Sequence, residues 1–309
     1  MVLLELLAEM RTTHELQLSA VHVNYGLRGE ASQLDERLVA QRCKDLAVFL
    51  TLHRASELHP DDANLEDRAR TIRHRVLKQT ARELGASAIA LGHTRDDQAE
   101  TVLLHLLRGA GLTGLRGMQP REGQIVRPLF GARRAEVRAY AHAHGVAYRD
   151  DASNLDHRFA RNRVRHLLLP LLAEQFNPGI VDVLADSAAL VAEDERFMDQ
   201  LAESIYRRFV KEAATKADSG ANGTRATIAA EELLELPLAL QRRVVRSMVR
   251  AVAPTHVQPG HGRALQAALD GLAASRAGVE FPLGRGLTLT RLRGTVAVQF
   301  ATSQTSRRS

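Results

Sequence analysis

The amino-acid sequence predicts an α/β protein: a doubly wound parallel sheet followed by a smaller, mostly helical domain. In the first half, short apolar runs alternate with amphipathic helical patterns, which is typical of parallel sheets covered by helices. Beyond Pro170 long helical patterns take over, and a β-hairpin pattern lies near the end. The length of 309 residues suits two domains.

The first half is predicted to contain four strands, each followed by a helix. A further helix at 2–10 precedes the first strand, and no strand or N-cap comes before it. In the second helix of the alternation Asn64 is the expected N-cap and Gly85 the terminator. The predicted strands are 18–23, 48–52, 86–91 and 125–129, and the helices are 32–46, 64–84, 96–108 and 133–144.

The second half is predicted to be mostly helical, with a polar loop at 215–227. A β-hairpin is expected from 281–283 and 287–300, turning near Gly284 to Gly286. The predicted helices are 180–214, 229–252 and 262–273. We therefore expect domains at 1–172 and 173–301 and a disordered tail at 302–309.

Composition excludes several classes of protein. No apolar run approaches the ~18–20 residues of a membrane span, so no membrane association is expected. The single cysteine, Cys43, excludes a disulfide framework and any Cys-based zinc or iron–sulfur site. The histidines show no metal-ligand spacing, so we predict no protein-held metal. These features favour a reducing, cytoplasmic setting.

The charge balance makes a polyanionic partner plausible. Lysine and arginine number 42 against 36 acidic residues, a formal net charge of +6, and arginine strongly outnumbers lysine. Arginine binds a phosphate group through two parallel hydrogen bonds, so an excess of arginine is suited to a nucleic-acid partner. A GC-rich genome explains the same arginine excess, and both interpretations stay open at this point.

The segment GHTRDDQAET, residues 92–101, lies where a predicted strand ends and a helix begins, which is the ligand-binding edge of an open α/β sheet. Asp96, Asp97 and Glu100 share one helical face and could hold an ammonium group, with His93 beside them for a phosphate. Alternatively, Thr94 and Asp97 form an ordinary helix cap.

Two further segments are expected near the same edge. HVNYGLRG, residues 22–29, follows the first strand and carries His22, Asn24 and Arg28, unless it is only a connecting loop. Arg73 lies at the border of the apolar stripe on the helix at 64–84, where most arginines are expected to be solvated. GAGLTG, residues 109–114, matches a dinucleotide-binding pattern but ends a helix, so it predicts a flexible loop over the sheet edge.

A basic segment follows the acidic run DDASN, residues 150–154. One predicted helix carries four arginines, three of which fall on one face at spacings of three and four. Either the helix is a capped surface helix with a basic side, or it contacts phosphates near the domain junction. The four are Arg158, Arg161, Arg163 and Arg165.

Taken in order, these motifs, LLRGAGLTGLRGM and the Arg127-Pro128-Leu129 run resemble the tRNA(Ile)-lysidine synthetase family of the N-type ATP pyrophosphatase (PP-loop) superfamily, over about residues 2–172. The resemblance implies a PP-loop ATPase fold of the adenine nucleotide alpha hydrolase type. It also implies a ligase that adenylates C2 of the wobble cytidine in a CAU anticodon with ATP and Mg²⁺. Free L-lysine then displaces AMP to form lysidine on tRNA(Ile).

The resemblance also assigns roles to residues. His93 and Asp96 would lie at the nucleotide, and Asp97 and Glu100 would hold the lysine. Arg73 would reach toward the ATP phosphates. His22, Asn24 and Arg28 would line the nucleotide side of the cleft, and the arginines at 158–165 would meet the tRNA. PP-loop tRNA thiolases, the nearest rivals, use cysteine pairs, and Cys43 stands alone.

One family motif is missing from the sequence. The SGGxDS loop, which binds pyrophosphate, belongs just before the first helix, where this sequence begins. We expect that the start is misassigned and that the native protein is longer, because the downstream motifs are intact. The 309-residue chain itself is not expected to adenylate efficiently. The alternative function is a catalytically inactive tRNA-binding protein, and an in-frame SGGxDS upstream of Met1 would exclude it. No oligomeric state is predicted.

Overall fold

The computed structural model divides the chain into two compact units, Met1–Ala192 and Glu193–Ser309. Four of the predicted features lie outside the described residues: Asn64, three residues of the DDASN run, Arg285 in the predicted hairpin turn and the predicted tail. The structure describes residues 1–55, 57–59, 62, 65–151, 156–216, 222–254, 262–275, 278–284 and 286–300.

The first unit alternates strands and helices as predicted. Each parallel strand leads into a helix, so that side chains at the strand ends and helix starts lie at the carboxyl edge of that strand's sheet. The elements are α1 (Val2–Glu9), β1 (Ser19–Asn24), α2 (Glu30–Asp45), β2 (Phe49–Arg54), α3 (Leu65–Glu83), β3 (Ile89–Ala90), α4 (Arg95–Leu107), α5 (Leu112–Leu115), β4 (Arg121–Glu122), β5 (Ile125–Val126) and α6 (Arg134–Ala143).

The strand pairing confirms a parallel α/β arrangement. β1 pairs in parallel with β2 as a two-stranded sheet, and β3 pairs in parallel with β5 in a three-stranded sheet of order β3-β5-β4. The predicted strands at 86–91 and 125–129 are shorter than expected, because regular pairing covers two residues in each. The short strand β4 was not predicted. It pairs antiparallel with β5 as a tight hairpin, too short to give an alternating pattern.

The helical segment that closes the first unit begins with α7 (Ala160–Arg163), a π-helical turn (Val164–Leu168) and α8 (Leu169–Gln175). The long helix α9 (Ile180–Phe209) follows. Among the described residues, no single helix has the length and apolar character of a membrane span. One strongly bent pair, Ala160–Gln175 with Ile180–Phe209, passes that test jointly, by length and composition only.

The second unit is an antiparallel sheet with helices, in the strand order β6-β7-β10-β9-β8. One large apolar cluster fills its interior, including Leu289 of the sheet and Met248 and Leu269 of the helices. The elements are β6 (Lys211–Lys216), β7 (Asn222–Ala229), α10 (Ala230–Leu234), α11 (Leu238–Val252), α12 (Gly262–Ala274), β8 (Val279–Gly284), β9 (Leu287–Leu292) and β10 (Thr295–Phe300).

Four sequence predictions for this unit are corrected. The helix expected at 180–214 ends at Phe209 and is followed by β6, and the expected loop at 215–227 includes most of β7. Neither strand has a strongly apolar alternation in its sequence, although Ala226 and Ile228 of β7 are buried, and both strands depend on pairing, β7 with β10 and β6 with β7. The helix expected at 229–252 is two helices, because Pro237 starts a new helix rather than continuing one. The expected hairpin is three strands, since a second turn lies at Gly294, with φ +72°.

Candidate functional site at the sheet edge

The segment 92–101 forms the start of α4, as predicted. Thr94 is the N-cap, and it exchanges hydrogen bonds with Asp97 in a capping box. Asp97 Oδ2 accepts from the Thr94 N–H and from Thr94 Oγ1, both at 2.8 Å. The predicted cap is therefore present, and it uses one oxygen of Asp97 and leaves the other for neighbouring groups.

Three arginines converge on Asp97 and Glu100. Glu100 is fully buried and accepts four N–H bonds, from Arg134 Nη2 (2.8 Å), Arg161 Nε (2.8 Å) and Arg165 Nε and Nη2 (2.7 and 3.0 Å). The same arginines approach Asp97 Oδ1 at 3.1–3.4 Å. We call these five residues the arginine–carboxylate cluster. Since a carboxylate offers about four acceptor positions, Glu100 is saturated.

The cluster keeps both carboxyl groups ionised. Burial by itself would raise the pKa of Glu100, but the hydrogen bond from Arg165 and the charges of Arg161 and Arg134 outweigh it and lower that pKa. Burial likewise opposes ionisation of Asp97, yet its pKa is lowered by the Thr94 N–H and by Arg134 and Arg161. Three cations face two anions, so the cluster carries one positive charge.

Asp96 faces a different neighbour from Asp97. Its Oδ2 accepts from the backbone N–H of Arg134 at 2.7 Å and from Arg133 Nε at 3.3 Å. The Asp96 carboxylate therefore lies at the N-terminus of α6, where the helix dipole stabilises a negative charge. This hydrogen bond joins the start of α6 to α4 and thereby places Arg134 next to Asp97 and Glu100.

His93 lies next to a buried cation. Arg127 is 4% exposed, and its Nε donates to His93 Nδ1 at 3.2 Å. Burial, together with the charges of Arg127, Arg161 and Arg73, lowers the pKa of His93 to about 4, against an opposing effect of Asp97. His93 is therefore neutral near pH 7 and offers a hydrogen-bonding group rather than a charge.

The segment after β1 is tied to α2. Asn24 is buried, its Nδ2 donates to Glu36 Oε2 at 2.7 Å, and its Oδ1 accepts from the Gly26 N–H at 2.9 Å. Arg28 pairs with Asp35 at 2.7 Å. Burial lowers the pKa of His22, although Glu36 and Asp35 oppose the shift. The predicted loop is thus an ordered, hydrogen-bonded one.

Arg73 is exposed on α3, and its charge acts on both Arg70 and His93. Burial and the charges of Arg73, Arg161 and Arg127 lower the pKa of Arg70. Four guanidinium groups therefore influence one region beside His93. Guanidinium groups gathered in this way favour a phosphate ligand.

A cavity of 570 Å³ opens beside the cluster, and we call it the basin. It is large enough for a nucleoside. Arginines, carboxylates and a few apolar side chains share its lining. The lining residues are Asp62, Leu65, Glu66, Asp67, Arg70, Thr101, Leu104, His105, Arg108, Gly117, Met118, Glu122, Arg127, Arg158, Phe159, Ala160 and Arg161.

The four arginines of the basic segment do not lie on one helix, which corrects that prediction. Arg158 precedes α7, because its backbone N–H and guanidinium both bind Asp156. Arg163 donates to the backbone carbonyls of residues 157 and 158. Arg161 lies in α7 and Arg165 in the π-helical turn, and both face the cluster. These two are committed to carboxylates in this structure.

Sequence reasoning missed Arg134, Arg127 and Gln98. Arg134 is one of several arginines near the start of α6, and nothing local distinguishes it from Arg133. Arg127 follows a β-strand at the binding edge of the sheet, which is a usable signal. Gln98 lies inside the quoted motif, and its burial to 3% was the missing observation. Within the described part of the chain, no group of three or more His, Cys, Asp or Glu residues could hold a metal ion.

The fold is that of an α/β protein, and the candidate site lies at the carboxyl ends of parallel strands, where such proteins bind ligands. A family model described as a PP-loop domain matches residues 1–172, more than half of the chain. The chain belongs to the PP-loop family.

Curated proteins named tRNA(Ile)-lysidine synthase are similar to this chain. The one from Symbiobacterium thermophilum is 40% identical over 270 residues, 84% of this chain and 55% of that protein. The one from Geobacter sulfurreducens is 42% identical over 201 residues, 63% of this chain and 42% of that protein. The chain spans about half the length of the curated relatives it matches.

A solved structure has a similar fold. The U34-tRNA thiolase NcsA from Methanococcus maripaludis, with its [4Fe-4S] cluster, aligns with a TM-score of 0.51 at 19% identity. The alignment covers 62% of this chain and 67% of that one. At this identity the likeness concerns the fold alone.

Proposed function

We propose that the chain is the catalytic part of a tRNA(Ile)-lysidine synthetase. It would use ATP to adenylate the wobble cytidine of a CAU-anticodon tRNA(Ile) at C2, releasing pyrophosphate. The amine of free L-lysine would then bond to C2 and displace AMP. The observation that carries the proposal is the pair of ionised carboxylates, Asp97 and Glu100, at the binding edge of a PP-loop domain, which would suit an amine substrate once one of the paired guanidinium groups moves to another partner.

The residues around His93 are suited to a nucleoside triphosphate. Arg127 and Arg73, with Arg70 close by, supply guanidinium donors for phosphate oxygens, and neutral His93 can hydrogen-bond without adding charge. ATP would lie between these residues and the β1 end, toward Asn24 and Arg28. Mg²⁺ would arrive with the ATP phosphates, as it commonly does in such sites.

The saturation of Glu100 has a consequence for lysine binding. An ammonium group can reach these carboxylates only when a guanidinium leaves, since every acceptor position is filled. Arg161 and Arg165 are the groups we expect to move, because tRNA phosphates can replace the carboxylates as their partners. Lysine and tRNA binding would therefore strengthen each other.

The wobble base would enter the basin. Its volume accepts a nucleoside, and Arg161 belongs to both the basin and the arginine–carboxylate cluster. Carboxylates such as Glu66 and Glu122 can accept from the N4 amino group of cytosine, and Phe159 offers a ring for stacking. Base and amine would thus meet beside Arg161.

The test is lysine incorporation into tRNA by a chain that carries the SGGxDS loop. Glu100→Gln keeps the shape of the side chain and removes the charge that an ammonium needs. A charge-assisted hydrogen bond contributes ~1.5–3 kcal/mol, so we expect the lysine concentration at half-maximal rate to rise roughly ten- to a hundredfold. Adenylation, followed as tRNA-dependent pyrophosphate exchange, should change less, because ATP needs no ammonium site.

Glu83→Gln, an exposed helix carboxylate, is the matched control and should leave the lysine dependence unchanged. Asp97→Asn is measured beside it, since Asp97 also caps α4 and its loss will lower the melting temperature. A tRNA with uridine at the wobble position should not be modified. An unchanged lysine dependence in Glu100→Gln, at a temperature where the variant is folded, would refute the ammonium site.

A further inference from the structure

The segment 109–118, whose glycine pattern is not a dinucleotide motif, forms part of the basin wall through Gly117 and Met118. It follows α4 and contains the one-turn helix α5. Two side chains of α4 hold it. The proposed function assigns no role to either of these side chains, Gln98 and His105.

Gln98 holds the end of the segment. Its Nε2 donates to the carbonyls of Arg116 and Met118, both at 3.2 Å, and its Oε1 accepts from the Met118 N–H at 2.8 Å. The carboxamide thus makes three hydrogen bonds to backbone groups, at a side chain only 3% exposed. Such a set fixes three consecutive residues as a unit.

Gly117 is built to receive this carboxamide. Its φ is +60°, and a Cβ there would lie 2.6 Å from both Nε2 and Oε1 of Gln98. Both observations favour glycine, because an alanine at 117 would be strained at this φ and its Cβ would displace the Gln98 carboxamide. Seven residues after Gln98 on α4, His105 Nδ1 lies 2.6 Å from the Gly114 carbonyl. Both residues therefore hold the segment from one face of α4.

The same helix serves the arginine–carboxylate cluster. Asp97 and Glu100 flank Gln98 in sequence and face the arginines, while Gln98 and His105 face the loop. One rigid element therefore fixes the amine-binding carboxylates and one wall of the basin relative to each other.

We infer that Gln98 is a positioning residue that fixes segment 109–118 as the wall against which an unstacked RNA base is held in the basin. The inference rests on the proposed function, because it takes the basin as the site of the wobble base. Gln98 would act through the loop and would not touch the base. It would thus affect base insertion and leave phosphate-based RNA binding intact.

The probe is an anticodon stem-loop of tRNA(Ile) with the fluorescent analogue pyrrolocytidine at the wobble position, which brightens when it leaves the stack. For the wild-type chain we expect fluorescence to rise on binding. Gln98→Ala and Gly117→Ala break the same contact from its two sides. Both should bind the RNA within about threefold of wild type, since phosphate contacts dominate affinity. The fluorescence rise should fall by about half or more, since it reports base extrusion.

Gln79→Ala is the matched control, since Gln79 lies exposed on α3 and bonds Glu83 at 2.9 Å. Melting temperatures are recorded for every variant. The double variant Gln98→Ala/Gly117→Ala should lose no more fluorescence than the worse single variant, because both remove one contact. A full fluorescence rise in folded Gln98→Ala and Gly117→Ala would overturn this inference alone. No rise with wild-type protein that binds the stem-loop would overturn the use of the basin as well.

Discussion

The two units of the molecule have different interiors. In the second unit, twenty buried residues form one continuous apolar cluster. In the first, the described buried apolar residues form small clusters of three to five, and nine of the thirteen described buried polar or charged residues lie there. The first unit therefore relies on hydrogen bonds and ion pairs where the second relies on apolar packing.

This difference shows where the chemistry is placed. A buried ion pair often stabilises a fold no more than apolar residues of equal volume would, because both charges lose their hydration. Apolar burial, in contrast, stabilises by roughly 25 cal/mol per Å². The polar interior of the first unit is therefore better explained by the positions it gives to Glu100, Arg127 and Gln98 than by stability.

The largest effect is expected from removing the central anion of the first unit. In Glu100→Ala the three arginines of the cluster keep only Asp97 as a carboxylate partner. Removing one partner of a buried ion pair destabilises a protein by about 3–5 kcal/mol. The free energy of unfolding, measured with urea, should fall by this amount. Glu83→Ala, at an exposed position of α3, should change it by less than about 0.5 kcal/mol. A loss below about 1 kcal/mol for Glu100→Ala would contradict the idea of an interior held by charge.

A core truncation in the second unit should cost nearly as much for a different reason. Leu289 is fully buried in the apolar cluster, and Leu289→Ala should lower the free energy of unfolding by about 2–5 kcal/mol through lost burial and a residual cavity. Leu238 is 40% exposed, so Leu238→Ala is the control and should stay within about 0.5 kcal/mol. Lowering the pH through the lowered pKa of Glu100 should diminish the Glu100 effect and leave the Leu289 effect nearly unchanged. Equal pH sensitivity in both would remove the distinction between the two interiors.

The smallest effect concerns pH. The pKa of His93 is lowered from 6.5 to about 4, so the folded state binds fewer protons than the unfolded state between these values. The stabilisation from neutral His93 is fully present above about pH 6.5 and is lost as the pH falls toward 4. The free energy of unfolding that depends on this titration is up to about 3 kcal/mol, since one pKa unit corresponds to about 1.36 kcal/mol.

His93→Gln keeps an acceptor for Arg127 and removes the titration. The difference in unfolding free energy between wild type and this variant should shift by up to about 3 kcal/mol from pH 7 to pH 4, whereas the carboxylates affect both proteins alike. NMR titration of the His93 ring gives the pKa directly. A value near 6.5 would mean that neither burial nor Arg127 governs this histidine.

The sequence by itself determined the features that depend on neighbours along the chain. The alternation of strands and helices, the Thr94–Asp97 cap and the carboxylates at one face of α4 all follow from local spacing. The glycine segment after α4 was also separable from a true dinucleotide motif, since it ends a helix. These features depend on interactions between residues that are close in sequence, so the sequence pattern is sufficient to predict them.

Only the tertiary structure decided which charges meet. Arg134, Arg161 and Arg165 reach Glu100 across 34, 61 and 65 residues of sequence, and no local pattern selects these arginines from the 42 basic residues. The strands β6 and β7 were missed for the same reason, because a strand with few large apolar residues depends on the hydrogen bonds that a partner strand supplies. Desolvation and pairing act through space, so the saturated Glu100 and the Gln98 contact with Gly117 emerge only once the chain is folded.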